Sequence, residues 1–151
     1  LTTKVPTILR PGPISKDELA GVVGDNILSS SKTGDSSVAQ KSPGLSAKHY
    51  SPETPIRLYQ DIAAIQRIKH WTEGDLIILP HEGLLADFNW EPASTISLSA
   101  SGNAKEVARN LYATLKKADS RGKKLIHLAL LEESSGLAGA VNDRLMRASS
   151  S

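Results

Sequence analysis

Three side chains in the first third of the chain have the chemistry to bind a phosphate or a nucleotide. Arg10 follows a short apolar run and stands at the lip of a Pro-Gly turn, where its guanidinium can donate two parallel hydrogen bonds to a phosphate or a carboxylate. His49 and Tyr50 are adjacent, and either ring can stack on a base or bond a phosphate. By residue type alone, a surface arginine beside a turn and two packing rings are the favoured interpretations.

The segment that carries the two rings, residues 42 to 52, has no helix or strand periodicity. Pro43 and Pro52 stiffen its ends, and Gly44 permits a sharp turn. The pattern indicates a linker that is suited to closing over a ligand.

Three stretches occur in order along the chain: Ile-Leu-Arg-Pro-Gly-Pro-Ile at 8 to 14, Pro43-Gly44 followed by His-Tyr-Ser-Pro at 49 to 52, and Gly-Leu-Ala-Gly-Ala-Val-Asn-Asp-Arg-Leu at 136 to 145. Together they resemble the threonylcarbamoyl-AMP synthase family in its long, two-domain form. The first is similar to the last motif of the family's YrdC-like catalytic domain, the second to its linker and the third to its closing helix. The family linker tends to carry Met-Lys-Tyr after Pro-Gly, whereas this chain has Leu-Ser-Ala at 45 to 47. A contact that the family makes through that tyrosine therefore lacks its side chain here.

The resemblance implies that the chain is the C-terminal portion of an ATP-dependent nucleotidyltransferase. Its substrates would be ATP, L-threonine and bicarbonate, and its product threonylcarbamoyl-AMP, which supplies the N6-threonylcarbamoyl group of adenosine at position 37 of certain transfer RNAs. Residues 1 to 24 would be the tail of the catalytic domain, residues 25 to 54 the interdomain linker, and residues 55 to 151 a small C-terminal domain.

The same resemblance implies the site residues and partners. Arg10, Tyr50 and His49 would contact ATP, with the linker acting as a lid, while the catalytic residues would lie in a preceding catalytic domain and none in this chain. Mg²⁺ would arrive with ATP, and this chain alone would hold no cofactor and be inactive. The small domain would position the linker or dock the threonylcarbamoyl transferase complex that modifies transfer RNA.

Composition narrows the classes of function. A length of 151 residues suits one domain with a modest core. The chain has no cysteine, which excludes disulfides, thiolate nucleophiles and sulfur-ligated zinc. Its four histidines have no short spacing that would suit a metal, so none is expected. No apolar run approaches the roughly 20 residues that cross a bilayer, so we expect no membrane contact. The absence of cysteine fits a cytoplasmic protein. There is also no Ser-His-Asp set or phosphate loop with its lysine.

The formal net charge is +2, and residues 51 to 151 are electrically balanced. The nearest candidate for nucleic-acid binding is a basic cluster at residues 116 to 124. A helix C-terminus, where cations complement the helix dipole, is the favoured interpretation of that cluster.

The periodicity predicts an α/β fold: a small Rossmann-like open sheet of about four mostly parallel strands, with flanking helices and an irregular arm before it. A capping box at Ser15 predicts a short helix that ends at Gly24, and the stretch from 25 to 39, which has few apolar residues, is expected to be mobile. Strands are predicted at 55–59, 75–80, 95–99 and 125–131, helices at 61–71, 103–121 and 136–148, and a loop with a helical turn at 81–93.

Two junctions between a predicted strand and the segment after it, and one histidine within a predicted strand, are weaker candidates for a functional site. Residues 80 to 83 follow a buried strand at the edge where open α/β sheets bind ligands. The small residues Gly136, Ala138, Gly139 and Ala140 are interpreted as allowing a helix to lie close to the sheet, and His127 as a core residue. The alternative to the enzyme is a free-standing Rossmann-like ligand-binding or regulatory module without catalysis.

Overall fold

A computed structural model describes residues 5–10, 12–29, 52–87, 89–133 and 136–150. The strands in these residues are β1 (Thr7–Ile8), β2 (Leu28–Ser29), β3 (Ile56–Tyr59), β4 (Asp75–His81), β5 (Ser94–Ser99) and β6 (Leu125–Ala129). The helices are α1 (Lys16–Val23), α2 (Ile62–Gln66), α3 (Leu84–Asp87), α4 (Ala104–Asp119) and α5 (Gly136–Ala148).

Four strands form one sheet in the order β3-β6-β4-β5, and every pairing in it is parallel. Ile126 of β6 lies opposite Ile56 on one side and Leu76 on the other. The predicted small open sheet with flanking helices is confirmed. The two central strands, β4 and β6, are near-continuous apolar runs, as expected of strands whose two faces are both covered.

The two faces of this sheet bury separate apolar clusters. On one face, side chains of β4 and β6 pack against α4 and α5, and on the other they pack against α2, α3 and Trp90. The first cluster is the larger and includes Leu76, Ile78, Leu98, Val107, Leu111, Leu115, Ile126, Leu128, Val141 and Leu145.

Capping side chains fix the starts of two predicted helices. The Asn103 side chain accepts the backbone N–H of Lys105 at 2.9 Å and so begins α4. At α1, the Ser15 hydroxyl accepts the Glu18 N–H, while the Glu18 carboxylate accepts the Ser15 N–H at 2.7 Å. Gly24 follows α1 with a positive φ of 86°, as its place after the helix predicts.

Two predicted boundaries were wrong. Helix α2 is shorter than the predicted 61–71, because the chain leaves it at Arg67 and Trp71 turns edge-on to the ring of His127, 5.0 Å between centroids. Strand β6 ends at Ala129 rather than 131, because the backbone of Leu131 bonds the Asn142 side chain instead. At the start of the stretch expected to be mobile, β2 pairs in parallel with β1; residues 30 to 39 of that stretch lie outside the described residues.

None of the helices in the described ranges is long and apolar enough to span a bilayer.

Candidate functional site

A groove of about 520 Å³ lies between the N-terminal segment and the start of α5. Its walls come from the turn after β1, the first turn of α1, the end of β2 and the first turn of α5. Six of the residues that line it are Arg10, Gly12, Lys16, Ser29, Gly136 and Gly139. The fold therefore brings together segments more than a hundred positions apart in the chain.

Arg10 is half-buried in the wall of this groove. Among the described residues, no carboxylate forms an ion pair with its guanidinium and no acceptor is hydrogen-bonded to it. Lys16 adds a second cation to the lining, and Asp17 adds one carboxylate. The groove thus presents a guanidinium fork whose donors have no acceptor in the described part of the chain and can pair with a phosphate or a carboxylate.

The first turn of α5 forms the opposite wall. Gly136 has a φ of +53°, a conformation that favours glycine, and a β-carbon there would lie 3.6 Å from the carbonyl oxygen of Pro13. The amides of this turn have no partner within the helix. Ala138 and Ala140 are buried, as their expected packing role requires, whereas both glycines of the turn line the groove instead. Two exposed glutamates, Glu132 and Glu133, lie just before the turn and oppose an anion.

Asn142 fixes the loop that leads into this turn. Its side chain is buried and accepts the Leu131 N–H at 2.8 Å, while its amide donates to the carbonyl oxygens of Leu131 at 3.0 Å and Glu133 at 3.2 Å. One side chain therefore satisfies three backbone groups of the loop, which otherwise lacks regular structure. The sequence assigned Asn142 no role of its own, although an amide within an apolar helix stripe is a signal that the amide needs partners.

His127 is the centre of a buried polar network on the other face of the sheet. Its Nδ1 lies 2.8 Å from the Tyr59 hydroxyl and its Nε2 lies 3.1 Å from Oδ1 of Asp75. The Thr72 backbone N–H and hydroxyl donate to Oδ2 of the same aspartate at 2.7 and 2.8 Å. The prediction that His127 is a core residue is confirmed, but the sequence did not reveal its polar partners.

The environment of the network shifts two pKa values downward. Burial lowers the pKa of His127, although Asp75 opposes that shift, and Arg57 lowers the same pKa further. Partial burial raises the pKa of Asp75, but the hydrogen bonds from Thr72 and His127 lower it below its usual value overall. A neutral imidazole beside an ionised carboxylate carries its proton on Nε2, so Nδ1 accepts from the Tyr59 hydroxyl.

Asp119 ties the chain that enters β3 to the end of α4. Its carboxylate accepts the hydroxyl of Thr54 at 2.7 Å and the backbone N–H groups of Thr54 at 2.9 Å and Glu53 at 3.2 Å. The Thr54 hydroxyl is the main cause of the lowered pKa of Asp119, followed by the Thr54 N–H; partial burial opposes them, and the Glu53 N–H adds to the lowering. The end of α4 therefore fixes the position of the backbone at residues 53 and 54.

The other sequence signals lie apart from the groove. Lys116 and Lys117 occupy the last turn of α4, as the helix C-terminus interpretation requires. His81 lies against Gly83 and Gly102, and the N–H of Glu82 donates to the Ser99 carbonyl oxygen at 3.1 Å, so the strand ends at that edge are joined to each other. In the described part of the chain, no group of three or more potential metal ligands is found.

Of the three predicted ATP-contacting residues, the structure describes Arg10 alone. His49 and Tyr50 lie outside the described residues. The start of α5, which forms the wall opposite Arg10, carries only a weak signal for an anion site in the sequence. Nothing in the sequence shows that α5 and the N-terminal segment meet.

A family model described as "Threonylcarbamoyl-AMP synthase, C-terminal domain" matches residues 14–150. The chain belongs to this family. The threonylcarbamoyl-AMP synthase of Pyrococcus abyssi (strain GE5 / Orsay) is 29% identical over 161 residues, which cover 99% of this chain and 44% of the relative.

The solved structures agree with the family assignment. The crystal structure of P. abyssi Sua5 complexed with L-threonine superimposes with a TM-score of 0.76 at 26% identity, over 99% of this chain and 44% of that chain. This member of the family thus spans less than half the length of the relatives that it matches.

Proposed function

We propose that this chain is the C-terminal portion of an enzyme that forms threonylcarbamoyl-AMP from L-threonine, bicarbonate and ATP. The family match and the name of the Pyrococcus relative support the reaction, and the L-threonine of the related crystal structure supports the amino-acid substrate. In this proposal residues 1 to 24 complete the catalytic domain, residues 25 to 54 are the linker, and residues 55 to 151 are the small domain.

The distribution of exposed apolar side chains supports the assignment of the N-terminal segment to the catalytic domain. Five of the seven large hydrophobic residues that are exposed in the described structure lie between residues 9 and 28, and Val22 alone is 83% exposed. A surface this apolar is typical of an element that another part of a protein covers. We infer that the catalytic domain covers it.

The proposed reaction needs a cation beside the phosphates, and Arg10 can supply it. An oxygen of the threonine carbamate attacks the α-phosphorus of ATP, the bond to the β-phosphate oxygen breaks, and pyrophosphate leaves with the electron pair. Negative charge on the phosphate oxygens has to be stabilised through this step. The observation that carries the proposal is the Arg10 guanidinium, half-buried in the groove and without an acceptor among the described residues. Mg²⁺ would enter with ATP and be held by its phosphates.

The linker supplies the remaining part of the proposal. His49 and Tyr50 would close over the nucleotide and exclude water, which would otherwise hydrolyse the adenylate. The Asp119 carboxylate anchors the far end of this linker at Thr54, so the small domain positions the lid. The product would be the substrate of the complex that modifies adenosine 37 of transfer RNA. A cytoplasmic location stays a prediction.

Pyrophosphate release tests the role of Arg10. In the protein expressed from the full reading frame, with ATP, L-threonine and bicarbonate, we expect Arg10→Ala to lower the rate by at least about tenfold, since a charge-assisted pair of hydrogen bonds is lost. Arg67→Ala, which removes an exposed arginine just after α2, is the matched control and should leave the rate unchanged. An unchanged rate in Arg10→Ala removes Arg10 from the mechanism.

Calorimetry on the 151-residue chain separates the proposal from the free-standing module. A C-terminal portion should release no pyrophosphate by itself and should bind ATP only weakly, because most of the nucleotide pocket would belong to the catalytic domain. Tight ATP binding that survives Arg10→Ala would favour an independent ligand-binding module instead.

A further inference from the structure

Positive charge is concentrated on one element of the small domain. Between residues 105 and 124 the sequence carries seven lysines and arginines and two acidic residues, whereas the whole chain has a net charge of only +2. The remainder of the chain is therefore net negative. The excess belongs to α4 and the loop that follows it.

The cations of α4 line up along its exposed side. Lys105, Arg109 and Lys116 are all exposed and, together with Tyr112, follow the spacing i, i+4, i+7 and i+11 that places residues on one helix face. Val107, Leu111 and Leu115 are buried on the opposite face. At 1.5 Å per residue, the row is about 16 Å long, and the exposed Lys117 lies next to its end.

The two acidic residues of the same region do not neutralise this row. The Asp119 carboxylate accepts hydrogen bonds from Glu53 and Thr54, and Glu106 is half-buried in the first turn. The ion pairs that the described residues form are His127 with Asp75 and Arg147 with Asp143, so none of them includes a cation of α4.

The helix dipole explains the cations at the C-terminal end of this row but not those at its N-terminal end. Lys116 and Lys117 complement the negative end of the helix dipole, but Lys105 lies in the first turn, where the dipole disfavours a cation. Lys105 and Arg109 are also like charges at i, i+4, which destabilises a helix. A cationic row that costs stability in the free domain is explained if an anionic partner offsets the repulsion.

The shape of the surface selects the partner. We propose that the exposed face of α4 binds the phosphate backbone of single-stranded RNA. A straight helix face is convex, so it offers no groove for an acidic peptide, and its one large exposed apolar side chain, Tyr112 at 38%, is too little for insertion into a membrane. A row of cations with an interleaved ring matches a chain of phosphates with stacking bases. The choice of RNA over DNA rests on the proposed function.

Binding of a fluorescent oligouridylate of about 20 nucleotides to the 151-residue chain tests the surface. Neutralising about four phosphates predicts that affinity falls about fiftyfold between about 50 and about 200 mM salt. Arg109→Glu with Lys116→Glu should weaken binding by at least about tenfold. The matched control, Arg67→Glu with Lys69→Glu, changes the net charge equally at exposed sites beyond α2 and should change affinity by less than about threefold.

Four outcomes would overturn the proposal: no RNA binding at about 50 mM salt, an equal loss in the two double variants, tighter binding to phosphatidylserine vesicles than to RNA, or tighter binding to polyglutamate. If the glutamate variant does not fold by circular dichroism, Arg109→Gln with Lys116→Gln replaces it. Pyrophosphate release by the full-length enzyme should be unaffected by the α4 changes and impaired by Arg10→Ala, so failures of the two proposals are distinguishable.

Discussion

The two parts of the described chain differ sharply in how much they bury. Among residues 5–10 and 12–29, Ile27 has the one buried side chain, and α1 has none. The strands β1 and β2 pair through only two residues each. In residues 52 to 150 a four-stranded sheet is covered on both faces by apolar clusters. The second part contains its own core, whereas the first does not.

This contrast shows where stability should reside. An eight-residue helix and a two-stranded sheet of this size are marginal in water unless they pack against something larger. The N-terminal part meets the sheet domain at the groove beside Gly136 and exposes its remaining apolar side chains. We therefore expect substitutions in the sheet domain to cost free energy of unfolding and substitutions in the N-terminal part to cost little.

The strongest test of this contrast removes one aliphatic side chain from each part. Ile78 is fully buried in the larger cluster, so Ile78→Ala should lower the free energy of unfolding by about 4 kcal/mol, through lost transfer energy and the cavity that remains. Val22→Ala, at an 83% exposed position, should change it by less than about 0.5 kcal/mol. Urea denaturation of the chain followed by circular dichroism measures both. Equal costs at the two sites would contradict the contrast.

A second test asks whether the loop before α5 depends on one amide. Asn142→Ala leaves two carbonyl groups and one N–H of the loop without their partner, and should cost about 3 kcal/mol of unfolding free energy. The control is Asn110→Ala, which loses a single hydrogen bond to the Leu98 carbonyl oxygen and should cost about 1 kcal/mol. A difference of less than about 1 kcal/mol between the two variants would show that the loop is held by other contacts.

The smallest expected effect is a pH dependence that comes from the sheet domain. The pKa of His127 is lowered in the folded protein, so the unfolded chain binds a proton first as pH falls below its usual value of about 6.5. Stability is therefore complete above that pH and decreases below it, so it should be lower at about pH 5.5 than at about pH 7.5. His127→Gln should remove this decrease, whereas His70→Gln, at an exposed site, should retain it. Denaturation curves at the two pH values give the comparison; the same decrease in both variants would exclude His127 as its source.

Local patterns were enough to predict most of the fold. Asn103 and the apolar stripe of α4 fixed that helix to within two residues, because capping and periodicity are properties of neighbouring residues. The apolar runs of β4 and β6 indicated a sheet covered on both faces, and the structure confirms it. Boundaries were wrong where a distant side chain takes over the backbone, as Asn142 does at Leu131.

The site was less predictable because its geometry depends on contacts between distant residues. Arg10 could be selected from its own motif. The approach of α5 to the N-terminal segment could not be predicted from the residues of either segment. The partners of His127 are separated from it by 68 positions at Tyr59 and 52 at Asp75. They meet because β3, β6 and β4 are neighbours, an order that periodicity alone does not specify.

That strand order also governs synthesis. The strand at one edge, β3, pairs with β6, which follows the other three strands of this sheet in the chain and lies between β3 and β4. Until residues 125 to 129 have emerged from the ribosome, β3 lacks its partner and β4 can pair with β5 alone, so the nascent sheet domain exposes unpaired apolar edges. A premature stop before β6 would leave a polypeptide that aggregates or is degraded rather than a smaller working domain.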